Sequence, residues 1–154
     1  MENRQQAYSS KQVSKILGIS LRQLQYWDEK GLLKPSIIPA SGRGTLRYYS
    51  FSDLVQLKLI KRFRDEQISL RKIARAIEYL QRQIEEGQLN LIDPFTELSF
   101  VTDGKSIYLL TEDKKIAISL VLMGQLVWHI PLENLITEVK ELESRAGGQK
   151  TASR

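Results

Sequence analysis

Gly18-Ile19-Ser20-Leu21-Arg22-Gln23-Leu24-Gln25-Tyr26-Trp27 reads as a tight turn that opens directly into an amphipathic helix. Ser20 followed three residues later by Gln23 has the spacing of a capping box, in which a hydroxyl takes an amide N–H of the first turn and the glutamine reaches back. Leu21, Leu24 and Trp27 fall three apart and are expected to face inward, leaving Arg22, Gln23, Gln25, Tyr26 and Lys30 on the other face. The same device announces a helix before the turn: Ser9 and Gln12 form a capping box, and Val13, Ile16 and Leu17 recur at i, i+3 and i+4. Gly18 then supplies a helix end that tolerates positive φ. Two helices joined by so short a turn cannot lie antiparallel. They form a helix-turn-helix, whose second helix presents its N-terminal part to the DNA major groove. Arg22 falls in that part, within reach of guanine edges or phosphates.

Working outward, Gly31 ends the second helix and two β-prone runs between residues 36 and 49 flank a Ser41-Gly42-Arg43-Gly44 tip. This is the pattern of a hairpin wing, with Arg43 at its tip and Arg47 on its return strand positioned for phosphates or a narrow minor groove. Ser50 caps a helix over residues 51–64, with Leu54, Leu57, Ile60 and Phe63 inward and Lys58, Lys61, Arg62 and Arg64 on the solvent side. Ser69 caps another over residues 70–86, whose Ile73, Ile77, Leu80 and Ile84 alternate steps of four and three as a coiled-coil seam does.

The order of these parts is more specific than a lone helix-turn-helix. Residues 8–20, the run Arg22 to Pro35, the segment Leu46-Arg47-Tyr48-Tyr49-Ser50 with Asp53-Leu54, and Ile68-Ser69-Leu70-Arg71-Lys72-Ile73 together resemble the N-terminal domain of the MerR family of bacterial transcription regulators. The resemblance covers about the first half of the chain. It implies a homodimer on a two-fold operator of double-stranded DNA, and a promoter bent and untwisted so that RNA polymerase can engage both its elements. Carried over by position, it implies that Arg22 and Tyr26 contact DNA from the helix and Arg47 from the wing. The full set expected at the interface is Ser20, Arg22, Gln23, Gln25, Tyr26, Lys30, Arg43, Arg47 and Tyr48. Two positions depart from the common family pattern: Gln25 stands where an arginine is frequent, which removes one charge-assisted phosphate contact, and Trp27 where a tyrosine is frequent. The segment from residue 36 to 45 is also longer than the common wing.

Past Gly87 the helical pattern is broken by Asn90, Asp93 and Pro94. Residues 97–102 and 105–110 flank Asp103-Gly104, a pair suited to a two-residue type I′ hairpin, and residues 116–123 and 126–130 read as further strands. Leu135, Ile136, Val139 and Leu142 mark a helix over residues 132–145, and the small polar residues 146–154 read as disordered. The fold expected is α+β: a winged helix-turn-helix domain over residues 1–86, then a small antiparallel β-meander with a C-terminal helix over residues 87–145. Three or four short strands and one helix bury little surface alone, so this module is expected to dock on a twin subunit or a protein partner. Phe95, Phe100, Tyr108 and Trp128 leave open a small-ligand pocket in it.

Composition excludes much else. Among 154 residues there is no cysteine and one histidine, which removes disulfides, thiolate metal sites and His-rich sites, and no cofactor is expected. His129 in a strand has no companion motif, no Gly-rich phosphate loop is present, and an enzyme is not expected. Residues 1–86 carry 16 Lys+Arg against 9 Asp+Glu and the remainder 7 against 9, so the net charge of +5 is concentrated in the half with the helix-turn-helix. No secretion signal opens the chain, and its most apolar stretch, residues 116–132, is polar-interrupted and short for a membrane span, so a cytoplasmic protein is expected. The residues leave two other readings open, an antitoxin-like adaptor whose second half captures a protein and an architectural DNA binder of low sequence preference.

Overall fold

The computed structural model describes residues 6–37, 47–91, 99–103, 105–110 and 128–152. Its elements are β1 (Tyr8–Ser9), α1 (Ser10–Leu17), α2 (Leu21–Glu29), β2 (Tyr48–Tyr49), α3 (Phe51–Asp65), α4 (Leu70–Glu85), β3 (Ser99–Thr102), β4 (Ile107–Leu110), β5 (Trp128–Pro131) and α5 (Leu132–Ala152). They pack as two units. The first takes the described residues up to Lys58 together with those from Glu138 onward, and the second takes Leu59 to Thr137.

In the first unit the capping signals form as spelled. Ser9 Oγ accepts the Gln12 N–H at 3.3 Å while Gln12 Oε1 accepts the Ser9 N–H at 2.9 Å. At α2 the hydroxyl half of the pair is made, with the Gln23 N–H donating to Ser20 Oγ at 3.1 Å. Val13, Ile16, Leu17 and Ile19 are buried beneath the turn. One ladder has no signal in the sequence: Tyr8 pairs with Tyr49 and Ser9 with Tyr48, so the strand returning from the wing zips antiparallel onto the residues just ahead of α1. The expected inward stripe of α2 needs a correction. Leu24 and Trp27 are buried, but Leu21 is 47% exposed and Asp28 takes the third inward place. Leu21 is the first residue of the helix, one turn ahead of the buried Leu24. Lys58 also differs from expectation, because its ammonium lies 3.5 Å from Glu138 of α5 with only 16% of the side chain exposed.

The second unit packs α4 and the end of α3 against a three-stranded antiparallel sheet of order β4-β3-β5. The first strand is therefore central, with Phe100 opposite Leu109 on one side and Ile130 on the other. Phe63 meets Phe100 edge to face at 5.7 Å, and Ile73, Ile77 and Leu80 of the expected seam are spent on this same core. Thr102 pairs with Ile107, which leaves four residues, not two, in the connecting loop. The Asp103 carboxylate explains the longer loop: it accepts the N–H groups of Lys105 at 2.9 Å and Ser106 at 2.8 Å, which also hold its carboxyl below the usual range. The β-run at residues 116–123, the wing tip at residues 38–46 with Arg43, and Phe95 lie outside the described residues. Of residues 146–154, expected to be disordered, those up to Ala152 continue α5 as helix in spite of Gly147 and Gly148.

Helices α2, α3 and α4 end alike, with paired bonds that close a Schellman motif around one left-handed residue. In α3 the Gln67 N–H reaches the Arg64 carbonyl at 2.9 Å and the Ile68 N–H the Phe63 carbonyl at 3.1 Å. The left-handed residue is Gly31 in α2 and Gly87 in α4, but in α3 it is Gln67 at φ 62°. A side chain there is strained, so Gln67→Gly is expected to raise stability by about 0.5–1 kcal/mol. A urea midpoint that falls in the variant contradicts this.

Candidate nucleic-acid interface

The exposed side of α2 is built by what its other side buries. Leu24, Trp27 and Asp28 point inward, so Arg22, Gln23, Gln25, Tyr26 and Lys30 face solvent, as does the cap residue Ser20. Two of these are held in place. Gln25 Nε2 donates to Glu29 Oε1 at 2.9 Å, and the Lys30 ammonium sits 5.6 Å from the centroid of the Tyr26 ring. Arg22, one residue beyond the helix start, projects from the end of α2 that a helix-turn-helix inserts into the groove.

Tyr48 opens β2 and Arg47 directly precedes it, both half-buried. Arg47 Nε donates to Asp28 Oδ2 at 2.7 Å, and Lys34 lies 3.8 Å from the other oxygen of the same carboxylate. Arg47 is thus latched to α2 through its Nε. Beside this pair the fully buried Tyr49 phenol is pushed up to about 12, by burial first and by the Asp28 charge second, so it stays neutral.

A second carboxylate fixes the base of the wing. Asp53 Oδ2 accepts the Ser36 N–H at 2.9 Å, the Ser36 hydroxyl at 2.6 Å and the Ser50 N–H at 2.9 Å. In return the Asp53 N–H donates to Ser50 Oγ at 3.0 Å, closing a capping box at the start of α3. The Ile37 N–H then bonds the Tyr48 carbonyl at 3.2 Å, so residue 37 is tied to β2. In the sequence Asp28 and Asp53 stand only within the runs that carry the family resemblance, with no role read for either. The spacing Ser50-x-x-Asp53 was a legible capping signal, whereas nothing local links Asp28 to an arginine nineteen residues away.

Among the described residues no cluster of His, Asp or Glu could hold a metal ion, and no helix is long and apolar enough to cross a membrane.

The model of the MerR HTH family of regulatory proteins matches residues 8–80, from β1 into α4. An uncharacterised HTH-type transcriptional regulator of Mycobacterium tuberculosis is 33% identical over 132 residues, 86% of this chain and 55% of that protein. The HTH-type transcriptional regulator SkgA of Caulobacter vibrioides is 37% identical over 71 residues, 46% of this chain and 27% of its own length. TnrA of Bacillus subtilis, another HTH-type transcriptional regulator, is 32% identical over 88 residues, 51% of this chain and 76% of its own length. The chain spans about half the length of the mycobacterial relatives it matches. With the helix-turn-helix, the wing base and these matches in register, the chain belongs to the MerR family, a family of transcription regulators and not of enzymes.

Proposed function

We propose that this chain is a sequence-specific regulator that binds a two-fold DNA operator as a homodimer, inserting α2 of each subunit in the major groove and laying each wing on the flanking backbone. The observation that carries the reading is the exposed face of α2, whose Arg22 and Tyr26 stand free of the core while Asp28 and Asp53 brace the wing behind them. Ser20, Gln23, Gln25 and Lys30 complete the helix contacts, and Arg43, Arg47 and Tyr48 those of the wing. Residues 1–86 are the DNA-binding part, and residues 87–145 the module for dimerisation or for sensing a protein or small ligand. The family match supports this division by ending at residue 80. Control of promoter use follows by bending and untwisting DNA for RNA polymerase, or by occlusion.

The test is protection of the DNA upstream of this protein's own gene at physiological salt with excess random competitor. A two-fold footprint is expected, and its position between or over the promoter elements separates distortion from occlusion. Arg22→Ala is expected to weaken binding by about 1–3 kcal/mol and to flatten sequence preference. Equal affinity of the variant for the best site rejects the role of Arg22. Binding that random DNA removes as readily as specific DNA rejects the operator reading in favour of an architectural role.

A further inference from the structure

We propose that Leu21 reads the C5 methyl group of a thymine in the operator, making it a determinant of sequence preference beside Arg22. This rests on the reading of α2 as the recognition helix. Leu21 and Tyr26 are the exposed large hydrophobic residues among those described, and both lie on α2. Scattered exposed leucines are ordinary on a protein surface, but this one occupies the first position of α2, directly after the Ser20 cap and directly before Arg22. That end of a recognition helix penetrates deepest among base edges.

The chemistry then narrows what Leu21 can recognise. Its side chain neither donates nor accepts a hydrogen bond, and the one apolar group on the major-groove edge of a base pair is the thymine methyl. Four residues on stands Gln25, whose Nε2 donates to Glu29 at 2.9 Å, so this polar neighbour on the same edge is held along the helix with its amide oxygen still open to DNA, beside Leu21. Next to it Arg22 offers paired donors suited to guanine O6 and N7. An apolar reader and a guanidinium at adjacent positions select a thymine and a guanine close together in each half-site. Covering one methyl with leucine in each half-site corresponds to a roughly three- to tenfold preference for thymine over a base without the methyl.

Uracil isolates that group, because it keeps the hydrogen-bonding edge of thymine and lacks only the methyl. The duplex that full-length protein enriches from a random library is resynthesised with uracil at each thymine in turn, and affinities are measured for the wild type, Leu21→Ala and Leu21→Met. The wild type is expected to lose roughly three- to tenfold at one thymine position per half-site, Leu21→Met to keep that loss, and Leu21→Ala to bind thymine and uracil duplexes alike. Leu21→Ala places a good helix former at an exposed site, and an unchanged circular dichroism spectrum checks that it folds. A wild type indifferent to every uracil, a selected site without thymine, or a thymine preference that survives in Leu21→Ala while Leu21→Met matches it overturns the inference and leaves the operator reading standing. Failure of the wild type to enrich any sequence overturns both.

Discussion

Asp53→Ala is expected to cost about 3–5 kcal/mol of stability and to weaken operator binding beyond what its folded fraction accounts for. One carboxylate oxygen takes three hydrogen bonds, from the Ser36 amide, the Ser36 hydroxyl and the Ser50 amide, and the residue is 4% exposed. Bonds to a charged acceptor are each worth about 1.5–3 kcal/mol, and removing the acceptor also strands donors that water reaches poorly. Asp53 lies in the first turn of α3, where the helix dipole favours its negative charge. Asp53→Asn keeps an acceptor oxygen and loses the charge, so about half the penalty is expected. Urea denaturation measures the stability term. Operator titration at a temperature where both variants are folded measures the binding term, because Ser36 is the anchor from which the wing departs. A stability loss under about 1 kcal/mol in Asp53→Ala removes the carboxylate from its bracing role.

The parts of this fold that sequence made legible are those written in local spacing. Ser9 with Gln12, Ser20 before Leu21 and Ser69 before Leu70 each name a helix start within a residue, because a capping hydroxyl acts over three positions. The inward residues Leu54, Leu57, Ile60 and Phe63 of α3 followed from spacing in the same way, and the heptad seam read in α4 buries Ile73, Ile77 and Leu80 but leaves Ile84 only partly covered. What sequence could not place depends on contacts between distant segments. Pairing of Tyr8 with Tyr49 joins residues 41 apart, and a two-residue strand has no pattern to announce it. The Asp103-Gly104 pair suggested a tight hairpin, but the Asp103 side chain competes for the backbone amides and widens the loop to four residues. Leu21 failed for a geometric reason: periodicity gives the direction in which a side chain points, and says nothing of whether a neighbour reaches that far along the axis. At the candidate interface, sequence marked Arg22, Gln23, Gln25, Tyr26 and Lys30 as exposed but not Leu21, and left the two carboxylates that hold the surface in shape without a role.

Those carboxylates give Arg47 a role that can be separated from direct contact with DNA. Asp28→Ala is expected to destabilise by about 2–3 kcal/mol. That is less than the 3–5 kcal/mol typical of breaking a fully buried ion pair, because about a fifth of the Arg47 side chain and most of Lys34 already reach water. Asp28→Asn, which retains a hydrogen-bond acceptor for Arg47 Nε, should recover part of the loss. The consequence for binding is sharper. If Arg47 acts through its 2.7 Å bond to α2, the penalties of Asp28→Ala and Arg47→Ala on operator affinity are non-additive, and the double variant binds about as well as the worse single one. The latch alone also leaves the salt dependence of binding unchanged in Arg47→Ala. Were the guanidinium instead bound to a phosphate in each half-site, its removal would lower the slope of log affinity against log salt by about one per phosphate. A double-mutant cycle at two salt concentrations reads both. Additive penalties with a reduced slope assign Arg47 to the DNA backbone. Coupled penalties with an unchanged slope assign it to the joint between recognition helix and wing. Coupling with a reduced slope means that one guanidinium does both, with Nε on Asp28 and its terminal amines on a phosphate, an arrangement that the planar fork of arginine permits and a lysine does not.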